Sequence, residues 1–141
     1  MQTSKNITND LINLNHVLSD LIKEAFAKNQ HSLTRLQAHI LLLLDSCGKL
    51  SMSEIANRLG ISKPNTTPII NKLCQFGYVQ RFINQDDRRV TLVGITDIGH
   101  RISSDINRVI HNYVDSRVQN LTQAESSELG DALKSCLKLL K

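Results

Sequence analysis

The chain has 141 residues, 40% of them hydrophobic and only 4% aromatic, and 17 Lys and Arg against 13 Asp and Glu give a formal net charge of +4. This length suits one compact domain, or a small domain with helical extensions, and the cation excess permits a nucleic-acid partner. The longest apolar run, Ile40 to Leu44, falls far short of the roughly 20 residues of a spanning helix, and Asn6, Asn9, Asp10 and Asn13 interrupt any signal-peptide core, so no membrane association is expected. Cys47, Cys74 and Cys136 form no CxxC pair and leave an odd thiol, which fits a reducing cytoplasm.

In chain order, Ile7, Leu11, Leu14, Leu18, Leu21, Ile22 and Ala25 recur at helical spacing and predict a first helix over roughly residues 6 to 29. A polar break from Asn29 to Ser32 follows. Thr34 opens a second helix whose apolar centre, Ile40 to Leu44, reads as buried on most sides, and Ser46-Cys47-Gly48 stops it. Ser51-Met52-Ser53-Glu54 is a capping-box pattern that starts a short helix with Ile55, Ala56 and Leu59 inward and Gly60 at its end. Ser62 caps a further helix running to Phe76, which Gly77 ends, and the interval Gly60-Ile61-Ser62 has the length of a helix-turn-helix turn.

Beyond Gly77 the period changes. Tyr78 to Ile83 and Val90 to Ile95 are β-rich runs flanking a polar tip, Asn84 to Arg89, and predict a hairpin with a charged loop of about four to six residues. Thr96 caps a long helix with Ile98, Ile102, Ile106, Val109, Ile110, Tyr113, Val114 and Val118 on one face. A second capping box, Thr122-Gln123-Ala124-Glu125, opens the last helix, whose apolar stripe is Leu129, Leu133, Cys136, Leu137 and Leu140. The fold class is therefore mostly α with a small β-hairpin. A single copy has little on which to bury the terminal stripes, so pairing with a second copy is the economical arrangement; ordinary packing within one chain is the alternative.

The segment Leu50-Ser-Met-Ser-Glu-Ile-Ala-Asn-Arg-Leu-Gly-Ile-Ser-Lys63, followed by Leu73, Gly77-Tyr-Val-Gln-Arg81, Asp86-Asp87-Arg88-Arg89 and Ile95-Thr-Asp-Ile-Gly99, resembles the winged helix-turn-helix transcription regulators of the MarR family over about Leu33 to Gly99. The resemblance implies a winged helix-turn-helix DNA-binding domain at 33–96 and a helical dimerisation region at 1–32 and 97–141. It also implies a homodimer, mostly repressing, on an inverted-repeat double-stranded DNA operator, released by a small ligand, a metal or thiol oxidation.

The residues support a DNA-reading surface on their own terms. A helix from Ser62 puts Thr66, Ile69, Ile70 and Leu73 inward and leaves Lys63, Asn65, Thr67, Pro68 and Asn71 outward, a short, polar, acid-free face suited to a major groove. With Ser62 and Lys72 these are the candidate recognition-helix contacts. Asn65 and Asn71 could bond base edges, with the geometry for adenine, while Lys63 and Thr67 suit phosphates or a guanine edge. The same residues would also serve as plain caps and solvated positions of a surface helix. Pro68 lies inside the helix, removes an amide donor and crowds the carbonyl of Pro64, which predicts a kink or loosely wound first turns.

At the hairpin tip Arg89 matches the family's wing arginine, which enters a neighbouring minor groove, and Asp87 the acid that shapes the wing; Arg88 falls at a variable, often basic position. A tip kept soluble by mixed charges would look the same. Asn65-Thr66-Thr67-Pro68 is close to a Thr-x-Thr-Pro pattern of the redox-sensing branch, yet the first helix has none of that branch's cysteine.

The family's ligand region would be lined by helix one, helix two and the start of the long helix, and nothing there selects an effector class. His39 roughly matches a histidine of a metal-sensing branch, but no HxxxH pair or His-rich run accompanies it, and neither a metal ligand set nor a cofactor is expected. Cys74 near Lys72, and Cys47, are the thiols to weigh for oxidation, although Cys74 follows Ile70 by one turn and reads as packed. No P-loop, GxGxxG, HExxH or GxSxG is present, so no enzyme is expected. A winged helix used only to bind other proteins, and a nucleic-acid binder without sequence preference, are the competing functions.

Overall fold

The computed structural model describes residues 2–27 and 31–140. The elements are α1 (Gln2–Ala27), α2 (Arg35–Cys47), β1 (Leu50–Ser51), α3 (Met52–Leu59), α4 (Lys63–Gln75), β2 (Val79–Ile83), β3 (Thr91–Ile95), α5 (Asp97–Val118) and α6 (Gln123–Leu139). The expected end of the first helix at 28–29, and Asn29 and Gln30 of the polar break, lie outside the described residues.

Three helices begin with the same reciprocal cap. The Glu54 amide donates to Ser51 Oγ at 3.2 Å while the Ser51 amide donates to Glu54 Oε2 at 2.7 Å, and Thr122 and Glu125 repeat this at α6. Thr34 and Gln37 do the same at α2, a capping box formed with an amide in place of a carboxylate. Gly60 ends α3 in the left-handed region at φ 64°, which L residues with a Cβ enter at a cost.

The hairpin forms in the expected place, with Val79 opposite Ile95 and Ile83 opposite Thr91, and its loop runs one residue longer, from Asn84 to Val90. One strand is new. Leu50 and Ser51 pair antiparallel with Val93 and Leu92, giving a three-stranded sheet in the order β1-β3-β2. Two residues are too few for an alternation to be visible in sequence, so this strand exists through its partner alone.

By internal contacts the chain divides into two units, residues 1–110 and 111–141. The core of the first gathers Ile40, Leu41 and Leu44 of α2, Leu50 of β1, Ile55 of α3, Ile70 and Leu73 of α4, Val79 and Val93 of the sheet, and Ile106 of α5. Each such side chain contributes about 1.5–3 kcal/mol on burial, and together they hold α4 against α2 and the hairpin. Gly99 is part of this packing: a Cβ there would stand 2.1 Å from the Tyr78 carbonyl oxygen. The long helix departs from its expected face at one end. Ile98 is exposed, whereas Ile106 is buried. The second unit holds the end of α5 and the whole of α6, in which no residue is buried.

Among the described residues no helix is long and apolar enough to cross a membrane.

Candidate nucleic-acid interface

α4, its cap residue Ser62 and the hairpin tip carry the DNA-contact candidates named from the sequence. Ser62 takes an extended conformation, φ −71° and ψ 150°, and its Oγ accepts the Asn65 amide at 3.4 Å, which sets the start of α4. From there the helical period sorts the side chains. Thr66, Ile70 and Leu73 are buried, Ile69 is half-buried, and Ser62, Lys63, Asn65, Thr67, Pro68, Asn71 and Lys72 are exposed. The exposed face is therefore polar, cationic and free of carboxylates.

Pro68 neither ends the helix nor divides it: α4 runs unbroken from Lys63 to Gln75. The hydroxyls of Thr66 and Thr67 bond back to the carbonyls of Ser62 (3.0 Å) and Lys63 (3.3 Å), next to the Pro64 carbonyl whose helical amide partner the proline removes. The Lys72 ammonium lies 5.2 Å from the centre of the Phe76 ring, at the far end of the same helix.

The tip of the hairpin is built by its own polar residues. The Asn84 amide donates to the Val90 carbonyl (3.1 Å), the Asp86 amide to Asn84 Oδ1 (2.9 Å), and the Val90 amide to the Asp87 carbonyl (2.9 Å). Asp87 takes three hydrogen bonds from Arg89: the backbone amide at 3.0 Å, Nε at 3.1 Å and Nη2 at 3.4 Å. The Arg89 side chain, and secondarily its amide, hold the Asp87 carboxyl below the usual carboxylate range. The guanidinium is aimed by this fork yet remains 91% exposed, and Arg88 beside it is exposed as well. Between this tip and the start of α4 lies an open groove of about 430 Å³, lined by Lys63 and Arg89 together with Ser51 and Ser53.

Some contacts that bear on this surface carry no signal in sequence spacing. Arg81, on β2, donates through Nη2 to Asn71 Oδ1 at 2.6 Å, tying the hairpin to the exposed face of α4. Arg81 stands in the matching segment Gly77 to Arg81, but nothing in the sequence points to its partner. Lys49 lies 3.8 Å above the Phe82 ring, and Gly94 leaves the room for that pair, since a Cβ there would meet Phe82 at 2.8 Å.

α5 is fastened to the rest of the first unit by polar bridges. His100 Nδ1 pairs with Asp45 Oδ1, and the fully buried Ser103 donates to Asp45 Oδ2 at 2.7 Å. Lower on the helix Asp105 bridges His31 (3.3 Å) and Arg108 (2.8 Å). A small apolar pocket of about 150 Å³ lies among α1, α2 and α5, lined by Ile22, Phe26, Leu42 and Ile110 with Arg35 and His39. Arg58 Nη1 donates to the exposed Cys47 Sγ at 3.4 Å, and Cys74 is half-buried against the core. Among the described residues no three His, Cys, Asp or Glu side chains gather as a metal site.

A helix-turn-helix whose second helix shows a cationic face, followed by a hairpin with an arginine at its tip, defines the class of winged helix-turn-helix DNA-binding proteins. Comparison with known proteins carries this further. The MarR family model matches residues 33–91. The chain is 31% identical over 103 residues to the transcriptional regulator AdcR of Streptococcus pneumoniae, covering 65% of this chain and 68% of that protein. It is 28% identical over 105 residues to the HTH-type transcriptional regulator YfiV of Bacillus subtilis, covering 74% of this chain and 66% of that protein. Among solved structures, apo wild-type MarR from E. coli has the same fold, with a TM-score of 0.80 at 24% identity over 92% of this chain and 95% of that one.

The chain belongs to the MarR family of DNA-binding transcriptional regulators. Its relatives are regulators rather than enzymes.

Proposed function

We propose that the protein is a cytoplasmic homodimer that binds an inverted-repeat operator in double-stranded DNA and represses transcription there, with a small-molecule effector of unspecified class modulating binding. The observation that carries this reading is the acid-free face of α4 beside the exposed guanidinium of Arg89. On this reading residues 33–96 bind DNA. Ser62, Lys63, Thr67 and Lys72 serve phosphates or a guanine edge, Asn65 and Asn71 serve base edges, and Pro68 shapes the face between them. Arg89, aimed by Asp87 and flanked by Arg88, enters the adjacent minor groove.

The dimer is assigned to residues 1–32 and 97–141. α1 leaves Ile7, Ile12, Val17 and Leu18 exposed, and α6 leaves Leu133, Leu137 and Leu139 exposed, with Leu140 just beyond its end. Exposed apolar side chains in this number on two terminal helices favour burial against a second copy. The effector is assigned to the pocket of Ile22, Phe26 and Ile110, where apolar walls meet Arg35 and His39.

The test is fluorescence-anisotropy binding of the full chain to duplexes from its own promoter region, with scrambled competitors and a salt series. Specific binding that weakens steeply with salt supports the reading. Equal binding to scrambled DNA points to a non-specific binder. Absence of DNA binding points to a winged helix that contacts proteins.

A further inference from the structure

We infer that Arg81 determines what Asn71 reads, so that Asn71 selects an acceptor edge, guanine, rather than adenine; this rests on the operator reading above.

An asparagine amide reads adenine by using both halves at once: its carbonyl accepts from the adenine N6 amino group while its NH2 donates to N7. Among the described residues the Asn65 side chain has no hydrogen-bond partner, so both of its halves are available. Asn71 differs. Arg81 Nη2 has only hydrogens to give, so the atom it meets at 2.6 Å is the amide oxygen, and the orientation of the amide is set by chemistry. The oxygen is turned toward β2 and the two NH2 hydrogens are left as the free function of the side chain.

The second lone pair of that oxygen does not restore adenine reading. An adenine amino group approaching it would bring its partly positive hydrogens beside a guanidinium that, among the described residues, pairs with Asn71 and with no carboxylate, and both side chains are exposed. The pair thus presents donors and positive charge together. Guanine answers this with two adjacent acceptors, N7 and O6, whereas adenine and cytosine each place an amino group on the same edge.

Arg81 also fixes where the amide stands. β2 is held in register by Val93 opposite Arg81, and α4 by the buried Ile70 and Leu73 on either side of Asn71, so both ends of the hydrogen bond start from packed elements. Arg81 is therefore a positioning residue, acting on DNA through Asn71.

The experiment is selection of bound duplexes from a randomised pool by the full-length chain and by Asn71→Ala, Arg81→Met and Arg81→Lys, each first checked for a wild-type unfolding transition. Asn71→Ala locates the base pair at which preference is lost. The wild type is expected to favour guanine over adenine there by about ten-fold. Arg81→Met, which keeps the apolar stem, should erase that preference at this pair alone, and Arg81→Lys, which keeps a donor, should retain it. Adenine preferred at that pair, no pair affected by Asn71→Ala, or guanine preference surviving in Arg81→Met overturns the inference while leaving the operator reading intact. No sequence enriched by the wild type removes the operator reading, and this inference with it.

Discussion

The Thr96 hydroxyl donates to the Gly77 carbonyl at 2.6 Å and accepts the Gly99 amide at 3.1 Å, so the residue that begins α5 also closes the turn that ends α4. A second bond joins the same places, from the Thr96 amide to the Tyr78 carbonyl at 3.0 Å. Thr96→Val keeps the shape and removes the hydroxyl, leaving a partly buried carbonyl and amide without it. Urea unfolding should register a loss of about 1–3 kcal/mol, and a midpoint equal to the wild type would show the contact to be idle.

Gly99→Ala tests the same junction by crowding. The added methyl would meet the Tyr78 carbonyl at 2.1 Å, a backbone atom that cannot swing aside. The expected cost is about 1–3 kcal/mol or more. The control is Gly130→Ala, where a Cβ meets nothing within 4 Å and thermal stability should be held or raised.

Arg89→Ala removes a side chain that is almost wholly solvent-exposed and whose contact is with Asp87 at the tip, so the melting temperature should change little. Operator affinity should fall by about three-fold or more, and the slope of log affinity against log salt should shrink by about 1. Unchanged affinity at physiological salt would count against the wing assignment.

Asp45→Ala bears on the link between α2 and α5. It strips the acceptor from the fully buried Ser103 hydroxyl and the partner from His100. An unpaired buried hydroxyl costs about 1–3 kcal/mol, and the double variant Asp45→Ala with Ser103→Ala should recover part of that in denaturant melts. Additive losses would show that the two residues do not act together.

Acid should loosen the caps and the wing together. Bonds from the Ser51 and Thr122 amides and hydroxyls hold the Glu54 and Glu125 carboxyls below the usual glutamate range, and Arg89 does the same for Asp87. A carboxyl lowered in the folded state contributes stability that is complete above its ordinary range and is lost as pH falls through the lowered value. NMR titration should find all three carboxyls ionised to lower pH than free side chains. A midpoint at or above the ordinary range would remove the corresponding contact.

The parts of the fold that sequence reveals are the ones written locally. Ser51 with Glu54, and Thr122 with Glu125, lie three apart on the chain and cap the helices they start; the period that sends Thr66, Ile70 and Leu73 inward holds in the structure. What escapes is set by distance along the chain. β1 depends on Leu92 and Val93, the Asp45 carboxylate on His100 and Ser103, and Asn71 on an arginine beyond the turn. Ile98 fits the helical period of α5 but stands exposed at its first turn. Pro68 predicts a kink or loosely wound first turns; α4 is continuous through it from Lys63 to Gln75, with the Thr66 and Thr67 hydroxyls bonded to carbonyls of the first turn.

Ser51 belongs to two elements at once: as the last residue of β1 it is paired with Leu92, and as the cap of α3 it holds Glu54. No spacer separates the sheet from the helix, so sideways force on the hairpin is delivered to the opening turn of α3 without slack. In the proposed DNA-bound arrangement, a duplex that pulled the tip toward its minor groove would therefore tug on the scaffolding helix at the same moment.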